Sequence, residues 1–508
     1  LKSNGQCRIN PTKLDAFEKE SKPISFLWSG MFDPAIHFYE SGITPMSQPN
    51  ILFIMTDQMR ADAMSCSGNW GETPNLDRIA GEGVRFTNAI TNSPVCMSAR
   101  LSLATGRYPH NTGLWHNGDH TMSPDRATWM QAVRDAGYRT SVFGKTHFYN
   151  HHGDLRDRED LIHAYGMDDV DEIGGPRASA RVESHMTKRW EEKGLWEDYR
   201  ADYDERFSNK PWVVRPSVLP LEEYADVYVG QRAKEYLEDY QREDPWFCWV
   251  SFGGPHEPWD TPEPYASMYD PEDMPTPDDP EGTLDGSSMP GVLGEFLREA
   301  RHSPDITQDQ IAAMRADYAG NVRVIDDQIG EILDTIEQRG ELDNTVIVFC
   351  SDHGEMNGDH GMIYKGHFLN GALRVPLLVR TPETLRGEVG GSVCDSPVEW
   401  FDLGPTVTQL AGGELDHQQF ARSLCPLLEF PEQEHRQYAV SEISGEFMIM
   451  DREWKLVLNG EGEPYLLFNQ IEDPEETNNR VDDPAAQDVV DRLQEALLQR
   501  IVRTQVQL

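Results

Sequence analysis

The chain is organised around uninterrupted apolar runs that end abruptly on polar residues. NILFIMTDQ (50–58) is apolar from Ile51 to Met55 and closes on Asp57 and Gln58. YRTSVFGKTHF, inside 128–148, closes on Lys145 and His147. PWFCWVSFGGPH (245–256) reaches His256, and TVIVFCSDHGE (345–355) delivers Asp352 and His353. ALRVPLLVRTP (372–382) is a fifth run. Between them lie segments of helical character, several stopped by glycine: TPNLDRIAGEG (73–83), the start of 128–148, VYVGQRAKEYLEDYQ (227–241) and MRADYAGNVRVIDDQIGEILDTIEQRGELDN (314–344). Strands apolar at successive positions are buried on both faces. The alternation therefore predicts an α/β fold, a large mostly parallel sheet flanked by helices. PVEWFDLGPTVTQLAGG (397–413) reads as its last strand and helix. A small antiparallel sheet follows, closed by the helix DVVDRLQEALLQRIVR (488–503). Three regions are expected: an extension at 1–47 of unknown role, the α/β domain at 48–430, and a small C-terminal α+β subdomain at 431–508.

Composition narrows the class of partner. The formal net charge of −42 argues against nucleic acid and against acidic membranes, both of which require a basic face. An anionic ligand would have to be met by cations gathered locally against that field. No run of 18 apolar residues occurs, so no membrane span is expected. The chain begins at Leu1 rather than Met, and the compartment is left open between cytoplasm and periplasm or exterior. Seven scattered cysteines, with no CxxC pair, exclude a disulfide framework or zinc ribbon.

The ends of the apolar runs carry the chemistry. An Asp after a strand is ordinarily a turn or cap residue. Here four runs bring carboxylates, histidines and a lysine to one sheet edge, where open α/β sheets bind ligands. Cys96 joins them. MSARLSLATG (97–106) has helical spacing with a glycine stop, which puts Cys96 at a helix start, where backbone N–H groups and the helix dipole lower a thiol pKa. Among the other histidines, His116 and His120 are separated by an Asn-Gly turn and His151 and His152 fit a solvated loop, whereas His360 and His367, flanking the lysine segment, fit a pocket-shaping role and a surface or packing role equally. Two loop-rich inserts stand out as the place where substrate choice would sit. One is aromatic (Trp190, Trp196, Tyr199, Tyr203, Phe207, Trp212) and the other, 271–291, is rich in Pro, Asp and Gly.

CMSARLSLATGR resembles the sulfatase signature, Cys-x-Pro-Ser-Arg followed by Thr-Gly-Arg. ILFIMTDQMRAD, FGKTHF, FGGPHEPW and FCSDHGEMNGDHGMIYKGHFLNGALRVPLLV resemble the family's first metal strand, Lys-x-His element, histidine turn and second metal segment. The resemblance runs from about residue 48 to about 484 in the family's order. It implies a type I sulfatase of the alkaline phosphatase superfamily. In such enzymes the signature cysteine, here Cys96, is oxidised to formylglycine by a formylglycine-generating enzyme. Ser98 stands where the family usually has Pro or Ala, and Ala99 where it usually has Ser; Arg100 is retained. The metal set carries over as Asp57, Gln58, Asp352 and His353, for one divalent ion. Ca²⁺ is favoured, with Mg²⁺ or Mn²⁺ as alternatives.

The resemblance also implies the roles. Hydrated formylglycine, held on the metal, attacks sulfur. Lys145, Lys365, Arg100 and the metal stabilise charge on the transferring oxygens. His256 with Lys365 protonates the leaving oxygen, and His147 is the base on the second hydroxyl. Asn117 is a further candidate beside the sulfate. The expected substrate is a sulfate monoester of a carbohydrate or aryl alcohol, with a homo-oligomer left open. Two alternatives stand beside this reading. One is a phosphonate monoester or phosphodiester hydrolase of the same superfamily, towards which Gln58 and His353 point. The other is a catalytically silent protein that binds sulfated glycans.

Overall fold

The computed structural model describes residues 48–209, 213–279, 282–298 and 306–506. The 1–47 extension, Cys7 and Trp212 lie outside them. The apolar runs pair side by side. β1 (Asn50–Thr56), β2 (Val84–Phe86), β4 (Arg139–Gly144), β5 (Asp169–Glu172), β6 (Trp246–Ser251), β7 (Thr345–Ser351), β8 (Leu377–Arg380) and β9 (Ser392–Cys394) form one eight-stranded sheet in the order β5-β4-β6-β1-β7-β8-β2-β9. The five strands from β5 to β7 are mutually parallel, and β8 runs against its neighbours β7 and β2. A two-stranded ladder joins β3 (Ala89–Ile90) to β10 (Val398–Glu399).

Strand residues feed two cores alternately. Ile51, Phe53, Phe247, Trp249, Val346 and Val348 face one, with the helices Cys96–Thr105, Trp129–Asp135 and Leu403–Leu410. Leu52, Ile54, Cys248, Val250, Ile347 and Phe349 face the other, with Pro74–Glu82, Ala225–Asp239 and Gln308–Gln338. This two-sided burial is why the runs are apolar at every position. Register then levels the strand ends. Thr56 pairs with Ser351, Met55 with Ser251 and Gly144 with Ser251, so the residues just beyond them emerge at one edge.

Two expectations need correction. Of the run 372–382 only Leu377–Arg380 is strand, because Pro376 has no N–H to give a ladder and the preceding Asn370–Leu373 turns helically. The aromatic insert is not loop-rich: it forms the helices His185–Lys193 and Trp196–Asn209. Trp190, Tyr199 and Tyr203 are buried in the second core rather than held out for a ligand.

The C-terminal sheet is an antiparallel meander of β11 (Ala439–Ile443), β12 (Glu446–Met450), β13 (Trp454–Leu458) and β14 (Pro464–Asn469). The helix Gln487–Arg503 lays Val490, Leu493 and Leu497 over one face, against Val440 and Leu456. Buried charge fastens this layer to the larger sheet. Asp402 accepts Arg436 Nε at 2.9 Å and faces His435 at 3.3 Å, and Glu399 takes Tyr108 Oη at 2.5 Å and Arg500 at 2.9 Å. No helix among the described residues is long and apolar enough to cross a membrane.

Asp402 is fully buried, which opposes its ionisation, but Arg436 and His435 outweigh this and hold its pKa far below the usual range. A carboxylate with a depressed folded-state pKa contributes stability above its unfolded pKa, about 4, and loses it as pH falls towards the folded value. The Asp402→Ala variant is expected to lose about 3–5 kcal/mol at neutral pH, because Arg436 is left buried and unpaired. The deficit should shrink as pH drops below about 4. Urea unfolding at neutral and acidic pH checks both.

Candidate active site

Parallel register brings Asp57, Lys145, His256 and Asp352 together at the carboxyl edge of β1, β4, β6 and β7. At β4 the chain must cross close over β6. Gly144 has φ +110°, a side chain there would strike the Ser251 carbonyl, and the Lys145 N–H then donates to that carbonyl at 2.9 Å. The glycine lets Lys145 turn in over the sheet. Its ammonium pairs with Asp57.

The helix Cys96–Thr105 is buried at every position, stops at left-handed Gly106, and starts at Cys96 itself. Asn117 Oδ1 accepts the next N–H, that of Met97, at 2.9 Å, and Ser98 Oγ donates to the Leu114 carbonyl at 2.7 Å. Asn117 thus braces the helix start. Cys96 Sγ lies 3.0 Å from His353 Nε2 and 3.7 Å from Asp57 Oδ1. Asp57, Cys96, Asp352 and His353 are all buried, and one ligating atom from each lies within 4.8 Å of the others.

Hydrogen bonds fix the cluster from behind. Asp352 Oδ1 accepts the Gln58 N–H at 3.1 Å and the His353 N–H at 2.9 Å. His353 Nδ1 donates to the Gly354 carbonyl at 3.0 Å, which turns Nε2 towards Cys96. Arg100 has no exposed surface. It donates through Nε to Asp352 Oδ2 at 2.7 Å, and through its other nitrogens to Asp57, Ser251 Oγ and the Lys145 carbonyl. The resemblance implies Arg100 for the transferring oxygens; in the fold its donors lace four strand ends together.

On the other side, Lys365 Nζ donates to His256 Nε2 at 2.8 Å and to Gln58 Oε1. His256 Nδ1 donates to the Glu257 carbonyl at 2.9 Å, leaving Nε2 as the acceptor. Gln58 Nε2 donates to Glu257 at 2.8 Å and Glu355 at 2.5 Å. Both amide atoms of Gln58 are therefore engaged with Lys365 and two glutamates. Its oxygen would have to give up the Lys365 bond to face an ion squarely.

Burial and charge tune these groups together. Burial would raise the Asp57 pKa, but Lys145, His256 and Arg100 hold it well below the usual range. Burial and Asp57 push the Cys96 thiol up, and Lys145, His353 and Lys365 more than offset them. His353 is drawn up to about 9, as Asp352 and the Cys96 sulfur outweigh burial. Burial takes His256 down to about 3 and His147 well below its ordinary value. Both imidazoles are thus neutral near pH 7. His147 sits at φ +56° with Nδ1 buried and unpartnered, its ring 4.9 Å from that of His151. Cys96 makes its contacts with Asp57 and His353, not with His147.

Several residues here escaped sequence reading. Glu257 and Glu355 adjoin marked residues but carry no signal of their own. Asp226 takes both the Gly253 and Gly254 N–H groups at 2.9 Å and so shapes the turn that presents His256. His151, read as solvated, has only 2% side-chain exposure and faces Glu172 at 3.3 Å, because Glu172 on β5 is itself buried and needs partners.

The sulfatase family model matches residues 49–413, and that of the N-sulphoglucosamine sulphohydrolase C-terminal region matches 358–503. An arylsulfatase of Clostridium perfringens is 29% identical over 89% of this chain and 94% of its own. The sulfatase YidJ of Escherichia coli is 31% identical over 89% and 87%. Among solved structures, the phosphonate monoester hydrolase of Agrobacterium radiobacter aligns with a TM-score of 0.73 and 26% identity, over 90% of this chain and 96% of that one.

Proposed function

Because this chain belongs to the sulfatase family, we propose that it hydrolyses sulfate monoesters of a carbohydrate or aryl alcohol, with a formylglycine made from Cys96. The observation that carries the reading is the buried convergence of Cys96, two carboxylates and His353, ringed by Lys145, Lys365 and His256. The donor set fits a hard divalent cation: two carboxylates whose outer oxygens are already held by Arg100, and an imidazole whose Nδ1 is engaged by the Gly354 carbonyl so that Nε2, once deprotonated, faces the cluster. Asp57, Asp352 and His353 would hold it, joined by Gln58. Ca²⁺ suits the oxygens best, and the histidine nitrogen leaves room for Mg²⁺ or Mn²⁺. Such an ion supplies Lewis acidity, and formylglycine supplies a hydroxyl nucleophile.

The chain's own residues do the rest. Lys145, paired with Asp57, and Lys365, bonded to His256 and Gln58, offer cations near Cys96 to the negative oxygens of the ester. Lys365 Nζ and His256 Nε2, 2.8 Å apart, form the acid–base pair that protonates the leaving oxygen. His147, held neutral, is the base. Asn117 keeps the Cys96 helix start in place. Maturation by a formylglycine-generating enzyme belongs to the same proposal.

A second reading has its own support. Gln58, His353 and the likeness to the Agrobacterium hydrolase favour phosphonate monoesters, which bring the same single charge. The Lys145–His147 pair, which resembles the Lys-x-His element of the sulfatases, supports sulfate. An aryl sulfate and an aryl phosphonate monoester with one leaving group should differ at least about tenfold in kcat/KM in favour of sulfate, about 1.4 kcal/mol in transition-state binding. Preference for the phosphonate, with no sulfated sugar turned over, would transfer the protein to the second reading.

A further inference from the structure

We propose that Arg177 is a specificity-determining residue that engages a second oxyanion, a carboxylate or a further sulfate, on the same molecule as the scissile ester. This rests on the ester-hydrolase reading above and names the kind of substrate it acts on.

The argument is one of place. Arg177 lies on the short helix Gly175–Ser179, which presses on the catalytic edge. Gly175 has φ +72°, and a side chain there would come 3.0 Å from Lys145 Cδ. The Arg177 guanidinium pairs with Glu257 Oε1, and Glu257 Oε2 in turn holds Gln58 at 2.8 Å and lies 3.1 Å from His256 Nδ1. Its faces are covered by Phe207, 4.8 Å from the ring centroid, and by Tyr364, 5.2 Å away and next to Lys365 in sequence. One cation is thus tied to the lysine and histidine sides of the site at once.

What Arg177 does not do matters as much. Its side chain keeps 42% exposure although Glu257 beneath it has none. Its Nε and the Tyr364 hydroxyl are both buried and have no hydrogen-bond partner among the described residues. A planar fork lying over two rings, its side chain part-exposed, is suited to bidentate recognition of an oxyanion. The aromatic helix supplies one of these rings: Phe207 lies against Arg177 while it also packs on the second core beside Tyr203. Against a net charge of −42, a local cation beside the site is the means of holding a substrate with two negative groups.

The test is a ratio. Phenyl sulfate, 3-carboxyphenyl sulfate and a phenyl disulfate are assayed with the wild type, Arg177→Met and Arg177→Lys. The wild type should prefer one dianion, and the two dianions tell carboxylate from sulfate. The dianion-to-monoanion ratio of kcat/KM should fall about thirtyfold in Arg177→Met and partly in Arg177→Lys, which keeps a charge on Glu257 and guards against misfolding. No wild-type preference, or a ratio unchanged in both variants while activities fall together, would overturn the proposal, because Arg177 would then be only a counter-ion for Glu257. If the wild type hydrolyses only phosphonates, the sulfate reading fails by itself and the matching phosphonates decide Arg177. If it turns over neither, thermal shift by the same anions decides: a stabilisation by the dianion that Arg177→Met abolishes supports the proposal, and equal shifts sink it.

Discussion

Cys96→Ala is expected to leave a folded protein with turnover reduced at least about 10⁴-fold. Cys96 is the one cysteine at the centre of the buried cluster, with its sulfur 3.0 Å from His353 and 3.7 Å from Asp57. Cys248 and Cys350 lie inside strands, where burial pushes their thiols up to about 12, and they serve as packing. Deleting one sulfur from a helix start held by Asn117 and by Ser98 costs the fold about 1–2 kcal/mol, well short of unfolding it. Turnover, urea unfolding, and the mass and aldehyde reactivity of the wild-type peptide carrying residue 96 give the answer together. Near-wild-type activity in a verified Cys96→Ala preparation would remove this residue from the chemistry.

Asp352→Asn should lose metal and activity in step. Asp352 has no exposed surface and uses both oxygens: one accepts two backbone N–H groups, and the other takes Arg100. An amide of the same shape keeps the packing but surrenders the charge, so Arg100 is left leaning on Asp57 at 3.3 Å. A fall of at least about 100-fold in kcat/KM is expected, with a matching fall in bound metal by elemental analysis. Stability should drop by less than the roughly 3–5 kcal/mol of a fully broken buried pair, since Asp57 remains. A metal-free wild type that stays fully active would refute the cation site.

The sequence by itself determined which residues would share an edge. Apolar runs bounded by glycines and polar pairs are choices made within about ten residues. A short run apolar at every position, bounded by turn residues and rich in β-branched and aromatic side chains, points to an interior strand of a covered sheet. Once such strands lie parallel and in register, Asp57, Lys145, His256 and Asp352 must emerge together, and the Gly106 stop likewise sets Cys96 at a helix start. No local pattern encodes how the side chains then divide their hydrogen bonds. That Arg100 spends its donors on strand ends, that Gln58 is shared between Lys365 and two glutamates, and that His151 turns inward to Glu172 follow from contacts tens to hundreds of residues apart. The same holds for Phe207, which packs on the second core and also lies against Arg177. Only the packed structure decides these, because a buried polar atom must find its partner among whatever the fold has brought near, and the cost of leaving it unpaired exceeds any preference of the local sequence.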